Sequence, residues 1–461
     1  MPDRRLRILH IGNVANNGYL NAKLLNAGGM DCDVLAYAHY HTMGSPEWED
    51  SDFSGRAVDE SRPDWSAVDL KGYRRPRWFA QGPIGDAVAY LEARRTASAS
   101  VNLRWHWLAF RRHLIAARRW RWLRDLRRWV RTEAPAPGAT ESSTADGVSY
   151  ARVRGWNLVA LRRLLRRYDV VHAYGAEPIL PLLCGTHPYV AFEHGTIRSL
   201  PFENSAEARL TAQAYREADA VLITNADNQR AADRLGLTRY RFIPHPVNET
   251  SPDPAAVAAL GDDLKQRLNA DFLLFHPSRQ HWSPERNPHL EKGNDVLIDG
   301  LQRFFAARPR AAAVFVSWGQ KVQESRALID RLGIAGRVLW IDPVPGPGLA
   351  RYMAAADVVA DQFFLGAFGA ITPRALCLGT PPLLHLDVEA HRWAFDETPP
   401  VLNARVPGEI AAVLQRGYDN RAWLAEVGNR GRAWYARFHS NEVVRRTLLD
   451  TYHAVRTDHD A

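Results

Sequence analysis

Cysteine is scarce in this chain of 461 residues, and long apolar runs are missing. The three cysteines, Cys32, Cys184 and Cys377, show neither a Cys-x-x-Cys pair nor a His/Cys spacing suited to zinc. No stretch reaches the roughly 18 apolar residues that a membrane span needs, and the N-terminus has no apolar signal core. We therefore expect a cytoplasmic protein in a reducing compartment, either soluble or peripheral on the inner face of the membrane.

Lysine is also rare, and it occurs only at positions 23, 71, 265, 292 and 321. Basic residues nevertheless exceed acidic ones by 59 to 51, which gives a net charge of +8 carried mostly by arginine. A hydrophobic content of 46% and a charged content of 24% are typical of a folded globular protein. The length exceeds what one core normally supports and predicts two or three domains.

Strand and helix patterns alternate in the first half of the chain. Residues 6–12 form a short strand pattern that ends at Gly12 in a glycine-containing loop, and a helical pattern follows at 19–26. This order is typical of the start of a Rossmann-like domain, although the loop lacks GxGxxG. Further strand patterns begin at 34, 169, 189, 220 and 241. We predict a domain over 1–248 with an insertion at about 41–150, irregular over 41–80, helical and basic over 86–131, and low in complexity over 132–148.

A second alternation follows from about residue 250. Strand patterns at 272–276, 313–318, 338–342, 358–361 and around 383 predict a second Rossmann-like domain over 249–435. The fold class we predict is therefore α/β, with two Rossmann-like domains that face each other across a cleft.

The segment 366–381 is the most informative part of the chain. Gly366 and Gly369 permit a ligand to approach the backbone closely. Thr372 as N-cap and Pro373 as first helical residue predict a helix start directly behind them. The unpaired N–H groups and positive dipole end of such a helix suit a phosphate.

This segment resembles the nucleotide-sugar loop of GT-B glycosyltransferases, in particular retaining glycosyltransferase family 4. The usual pattern there is Glu-Gly-Phe-Gly, a few residues, then Glu-Ala-Met-Ala-x-Gly-Thr-Pro. Phe368, Gly369 and the run 379–381 fit that pattern, whereas Gly366 and Arg374 replace the two glutamates. The resemblance implies a GT-B fold whose last helix, within 436–461, crosses back to the first domain. It also implies a nucleotide sugar as substrate, retention of configuration, and neither a cofactor nor a metal.

Arg279 and Lys292 are the predicted diphosphate ligands. A leaving nucleoside diphosphate carries about two negative charges, which an arginine fork and a lysine can stabilise without a metal. The resemblance places an Arg and a Lys-Gly here, although the insert 280–291 widens their spacing. The alternative is a surface arginine and an ordinary lysine at a helix start.

His194 and Asp361 are the predicted catalytic residues. A strand that ends in His194-Gly195 places the imidazole at the carboxyl edge of a sheet, and the resemblance implies contact with the donor sugar or the leaving phosphate, with Arg198 close by. Asp361 is the candidate acceptor for sugar hydroxyls in place of Gly366, or it caps the next loop. His172 and His245 favour a structural interpretation. The predicted substrate-binding residues are Gly12, Arg198, Arg279, Lys292, Gly366, Phe368, Gly369, Thr372 and Arg374.

Arg374 departs furthest from the family pattern. The family glutamate accepts hydrogen bonds from ribose hydroxyls, and arginine has no acceptor. Three alternatives remain open: Arg374 binds a phosphate, it pairs with Asp361, or it marks a site that no longer turns over.

The segment 101–131 combines a stripe of tryptophan and aliphatic residues with many arginines. Such an amphipathic cationic helix suits an anionic lipid surface. Packing on the first domain is the alternative, and nucleic acid is disfavoured because no recognised nucleic-acid module accompanies it.

The sequence as a whole predicts a glycosyltransferase that moves a sugar from a nucleotide-activated donor to an acceptor hydroxyl. The acceptor, whether a glycan, a lipid-linked molecule or a small molecule, is not specified. The alternative function is a catalytically inactive GT-B-fold binding or scaffold protein, with or without association to a membrane surface.

Overall fold

The computed structural model describes residues 5–37, 41–53, 58–61, 63–95, 143–285 and 291–460. The basic segment 101–131 lies outside these described residues. The described chain forms two parallel sheets with helices on their faces, and the connections between successive strands are mostly helical, as parallel pairing requires.

The first sheet has seven parallel strands in the order β3-β2-β1-β4-β5-β6-β7. Strand order reverses between β1 and β4, which opens a crevice at their carboxyl ends. The strands are β1 (Arg7–Ile11), β2 (Asp31–Ala36), β3 (Phe79–Gln81), β4 (Val170–Tyr174), β5 (Tyr189–Glu193), β6 (Ala220–Ile223) and β7 (Tyr240–Phe242). The helices are α1 (Asn17–Ala27), α2 (Pro46–Asp50), α3 (Ile84–Arg95), α4 (Ser143–Val153), α5 (Leu158–Leu165), α6 (Ile179–Cys184), α7 (Ala206–Glu217) and α8 (Gln229–Leu235).

The second sheet has six parallel strands in the order β10-β9-β8-β11-β12-β13, with the reversal between β8 and β11. The strands are β8 (Phe272–His276), β9 (Ala311–Val316), β10 (Val338–Ile341), β11 (Val358–Ala360), β12 (Pro382–Leu384) and β13 (Leu402–Asn403). The helices are α9 (Pro254–Arg267), α10 (Asn294–Ala307), α11 (Val322–Arg331), α12 (Gly346–Ala355), α13 (Ile371–Leu378), α14 (Val388–His391), α15 (Pro407–Asp419), α16 (Arg421–Phe438) and α17 (Asn441–Asp460).

The central strands are buried because helices pack on both faces of each sheet. Every residue of β4, β5, β8 and β9 is buried. Such strands contain nearly continuous apolar runs instead of an alternating pattern, which is the signal that located them in the sequence.

The described part of the insertion contains more regular structure than the sequence predicted. Residues 41–80 contain the short helix α2 and the strand β3, and α4 begins inside the stretch 132–148 that low complexity had indicated as a connection. α2 has only five residues and β3 only three, too few for a periodic pattern to show. Both elements depend on tertiary contacts.

The C-terminal helix α17 packs on the first domain. Its Val444, Leu448 and Tyr452 join the core around β1. The Tyr452 hydroxyl lies 2.6 Å from Nδ1 of His172, which stacks against the Tyr174 ring. The C-terminal helix therefore packs into the same core as the first strand, β1.

None of the described helices combines the length and the apolar character needed to cross a bilayer. All three cysteines are free, with Cys32 and Cys184 buried and Cys377 half-buried.

Buried neutral histidines make stability sensitive to acid. Burial lowers the pKa of His10 and His439 to about 3 and that of His276 to about 4. Their stabilisation is complete above the unfolded pKa of 6.5 and is lost as the pH falls towards the folded values, by about 1.4 kcal/mol per pH unit for each histidine. Between pH 6.5 and 5 the wild type therefore loses free energy of urea unfolding through His10. His10→Gln should reduce this acid-induced loss by about 1.5–2 kcal/mol, the value of that slope over the interval.

Two buried carboxyls act in the opposite direction. Burial raises the pKa of Glu177 and Glu193 to about 7, so their contribution is present below the unfolded pKa of 4.5 and lost as the pH rises through 7. Both the wild type and His10→Gln contain these carboxyls, so their effect cancels when the free energies of urea unfolding of the two proteins are compared at each pH. Identical pH slopes for the two proteins would contradict the prediction.

Candidate active site

A cavity of about 410 Å³ lies between the two sheets, at the carboxyl ends of their strands. The loops after β1, β5 and β6 form its first-domain side, and the loops after β8, β9, β10 and β11 form the other. Both strand-order reversals therefore face this cavity, the place where open α/β sheets bind ligands. The predicted site residues that line it are His194, Arg198, Arg279, Lys292, Asp361, Phe368, Gly369 and Arg374.

Arg279 and Lys292 lie on the second-domain side of the cavity. Arg279 follows β8, and Lys292 precedes α10. Lys292 Nζ donates a 2.7 Å hydrogen bond to Oε1 of Gln362, whose own amide donates to the carbonyl of Ala367. Within the described residues the Arg279 guanidinium makes no ion pair or hydrogen bond. The lysine is thus fixed to the glycine-rich segment, and the arginine is available to a ligand.

Both cations are poorly solvated. Burial lowers the pKa of Lys292, with the Asp361 carboxylate opposing this effect and Arg279 adding to it. Burial also lowers the pKa of Arg279, and Glu60 of the first domain partly offsets that shift. A bound anion would restore the lost stabilisation of both charges, so this part of the cavity favours a polyanionic group.

The glycine-rich segment presents a helix start to the cavity. Gly369, Ala370 and Ile371 line it, and α13 begins at Ile371 with Ala370 as its N-cap. The prediction of Thr372 as N-cap and Pro373 as first helical residue was therefore wrong by two positions. The Thr372 hydroxyl does not cap the helix, because it donates a 2.8 Å hydrogen bond to Asp361. The N–H groups of the first turn remain directed at the cavity end of the helix.

Asp361 is a buried carboxylate with both oxygens engaged. Oδ1 accepts a 3.0 Å hydrogen bond from the Ser278 hydroxyl, and Oδ2 accepts the one from Thr372. These contacts join the loop after β8 to the start of α13 at the strand-order reversal. The carboxylate thus holds the two halves of the anion site together, and its direct contact with a substrate stays a prediction.

His194 and His245 meet edge to face on the first-domain side, with ring centroids 5.1 Å apart. The Asn17 side chain joins them: its Nδ2 lies 3.2 Å from His194 Nδ1 and donates to the Val14 carbonyl at 2.9 Å. Asn17 Oδ1 consequently faces His245 Nδ1, in a long contact of 3.5 Å. Burial lowers the pKa of His245, which keeps that ring neutral. Its Nε2 is buried and has no hydrogen-bond partner among the described residues.

Arg198 is held at the cavity wall by an ion pair. Its Nε and Nη2 donate to Oδ2 of Asp227 at 3.1 and 2.7 Å. The guanidinium is therefore partly neutralised, and Arg198 is less available to an anion than Arg279.

Arg374 does not pair with Asp361, as one of the sequence alternatives held. Its Nη2 contacts Oε1 and Oε2 of Glu49, at 2.7 and 2.9 Å. Glu49 belongs to α2 of the first domain, and the two side chains are only 14% and 5% exposed. Arg374 therefore contacts a carboxylate from the opposite domain.

The acidic segment, residues 47–52, makes this contact possible. Among the described residues it makes four ion pairs, each with a different cation, and two of the pairs cross to the second domain. The pairs are Glu47–Arg75, Asp50–Lys23, Glu49–Arg374 and Asp52–Arg351. Close backbone packing accompanies them, because a Cβ on Gly346 would lie 2.3 Å from the Glu49 carbonyl oxygen. Sequence patterns gave no sign of these pairings, which join residues far apart in the chain.

Three predicted site residues do not line the cavity. Gly12 lies beneath it with a φ of +91°, and a Cβ there would come 2.9 Å from Cγ of Glu177. Gly366 also has a left-handed φ, of +70°, and packs against Asp387. These glycines and Thr372 shape the loops that bear the site. Within the described ranges, no cluster of three or more His, Cys, Asp or Glu side chains is arranged to hold a metal ion.

Similar proteins are known at the level of sequence. No protein-family model matches the chain. It is 27% identical over 241 residues to the D-inositol 3-phosphate glycosyltransferase of Xylanimonas cellulosilytica, covering 48% of this chain and 52% of that protein. The protein of the same name from Jonesia denitrificans is 29% identical over 174 residues, or 36% of this chain and 40% of that one. The chain thus matches about half, or less, of the length of these relatives.

Solved structures share the fold. Anabaena Alr3699/HepE in complex with UDP and glucose superposes with a TM-score of 0.55 at 18% identity, covering 66% of this chain and 83% of that one. The sucrose-phosphate synthase of Thermosynechococcus elongatus superposes with a TM-score of 0.54 at 14% identity, covering 98% and 100%. These likenesses confirm the predicted fold class: two parallel-sheet domains in the GT-B arrangement.

The buried Glu49–Arg374 pair should show strong coupling. Arg374→Met or Glu49→Leu alone leaves an uncompensated buried charge and should lower the free energy of urea unfolding by about 3–5 kcal/mol. The double variant removes both charges and should lose much less than the two single losses together.

The Asp52–Arg351 pair is the matched control for this cycle. It crosses the same domain boundary but is 44% and 31% exposed, so Asp52→Leu and Arg351→Met should each cost no more than about 1 kcal/mol. Additive losses at Glu49 and Arg374 would contradict the coupling.

Proposed function

We propose that the protein is a glycosyltransferase that moves a sugar from a nucleotide-activated donor to an acceptor hydroxyl. The observation that carries the proposal is the pair of half-buried cations, Arg279 and Lys292, beside the start of α13. A leaving nucleoside diphosphate gains negative charge as the glycosidic bond breaks. Fixed cations and helix N–H groups in a poorly solvated cleft stabilise that charge more than they stabilise the ground state.

The remaining walls of the cavity suit the other parts of a sugar nucleotide. Val316, Trp318, Val344 and Leu349 form an apolar wall on the second-domain side, where a flat base can lie. His194 lines the first-domain side, where its imidazole can hydrogen-bond the hydroxyls of a sugar, and His245 packs edge to face against it. Phe368 is a buried support for the glycine-rich segment, since it stacks on His391 at 5.2 Å.

The similar proteins support this proposal and refine it. The curated relatives are named for transfer of a glycosyl group to D-inositol 3-phosphate, and the Anabaena structure contains UDP and glucose. By analogy, we propose a uridine-nucleotide hexose as donor and hexosyl transfer as the reaction. We also propose that the reaction retains the anomeric configuration and needs no metal, on the basis of the family 4 resemblance.

The acceptor enters from the first-domain side in this proposal. Asn16, His41, Met43 and Trp48 line that side of the cavity and combine polar with apolar groups. This lining fits a hydroxyl-bearing molecule with an apolar face. Contact of segment 101–131 with an anionic membrane surface also remains a proposal, which rests on the sequence alone.

Binding of a nucleotide can be tested by thermal unfolding with UDP, GDP, ADP and CMP. A ligand at a hundred times its dissociation constant adds about 2.7 kcal/mol of stability. We expect UDP to raise the melting temperature of the wild type, and Arg279→Ala to abolish that shift because the guanidinium is the cation left free for the diphosphate. CMP, which has a single phosphate, should give the smaller shift.

Arg310→Ala is the matched control, because that side chain lies in the same domain, is 63% exposed and pairs with Asp271. It removes the same charge and should keep the UDP shift. Absence of a shift with every nucleotide would contradict the proposal. Nucleotide binding without release of the nucleoside diphosphate from any sugar nucleotide would favour the alternative of an inactive binding or scaffold protein.

A further inference from the structure

Glu49 is a carboxylate that the first domain places in the nucleotide half of the cleft. It lines the same cavity as Arg279, Lys292 and the apolar wall, yet it belongs to α2 of the opposite domain. The packing of its backbone against Gly346, at the start of α12, fixes its position beside that wall.

The Glu49 carboxylate retains capacity for further hydrogen bonds. Arg374 contacts both oxygens through one nitrogen, Nη2, and the described residues supply no other hydrogen bond to these oxygens. An ionised carboxylate has about four acceptor sites. Arg374 therefore neutralises and orients the group while lone pairs remain available to a ligand.

The geometry of the cavity indicates which ligand group would use them. A nucleotide with its diphosphate at Arg279 and Lys292 and its base on the apolar wall of Val316 and Trp318 has its ribose between the two. A vicinal diol donates two hydrogen bonds, which matches the two oxygens of a carboxylate, and acidic residues fill this role in other α/β nucleotide sites.

We propose that Glu49 binds the ribose diol of the donor nucleotide across the domain boundary, and that Arg374 is the residue that positions it. This inference rests on the proposed function, since it requires a nucleotide in the cleft. It adds that the nucleotide contacts both domains, so the acidic segment must be docked for full affinity. It also gives Arg374 a role compatible with turnover.

The test compares ribose with deoxyribose ligands on the full chain. UDP, GDP, ADP and CDP are titrated calorimetrically, and the tightest of them is then compared with its 2′,3′-dideoxy counterpart. Hydrogen bonds to a charged acceptor are worth about 1.5–3 kcal/mol, so the wild type should prefer the ribose form by about tenfold or more. Glu49→Gln, which keeps the shape of the side chain but replaces one acceptor oxygen with a donor, should reduce that preference to about threefold or less.

Asp52→Asn is the control for the removal of one charge from the acidic segment at the domain boundary. It weakens the other ion pair that crosses to the second domain, Asp52–Arg351, and Asp52 does not line the cavity. We expect it to keep the wild-type preference for ribose. Equal loss in Asp52→Asn and Glu49→Gln, or a wild type that binds both sugar forms equally, would overturn the inference and leave the proposed function standing. Failure of all four nucleotides to bind would overturn both.

Discussion

The acidic segment 47–52 is the constraint on which the cleft depends. Lys23 and Arg75 anchor it to the first domain, and Arg351 and Arg374 hold it against the second. The Glu49–Arg374 pair is the buried member of the set, and removal of either charge alone leaves the other buried without its partner. These complementary charges, together with the close packing of Glu49 on Gly346, hold α2 beside α12 at the wall of the cavity.

The chemistry of the cleft follows from the way the two sheets face each other. Their strand-order reversals meet at one cavity, so the loops after β8 and β11 bring Arg279, Lys292 and the start of α13 to the same place. Asp361 ties these loops together through Ser278 and Thr372 instead of standing free. An anion site assembled in this way suits the departure of a diphosphate, and the first domain contributes the imidazoles opposite it.

Sequence patterns predicted the parts of this arrangement that depend on local order. Buried parallel strands appear in the sequence as apolar runs. The loop that follows such a run can then be searched for cations, which is how Arg279 after β8 was found. Sequence patterns did not predict helix α2 and strand β3, because these elements are too short to show a hydrophobic period. The partner of Arg374 was not predicted for a different reason. Glu49 lies 325 residues away, and an ion pair between distant residues leaves no pattern in the local sequence. The start of α13 was misplaced because Thr372 and Pro373 are typical of helix starts, whereas tertiary contact with Asp361 decided the role of the hydroxyl.

The most direct test is a crystal structure of the full chain with the nucleoside diphosphate that it binds most tightly. We expect the diphosphate to lie between Arg279, Lys292 and the first turn of α13, with the base on the wall of Val316 and Trp318. A ligand bound outside this cavity, or a diphosphate that contacts neither cation, would show that this cleft does not stabilise a leaving diphosphate.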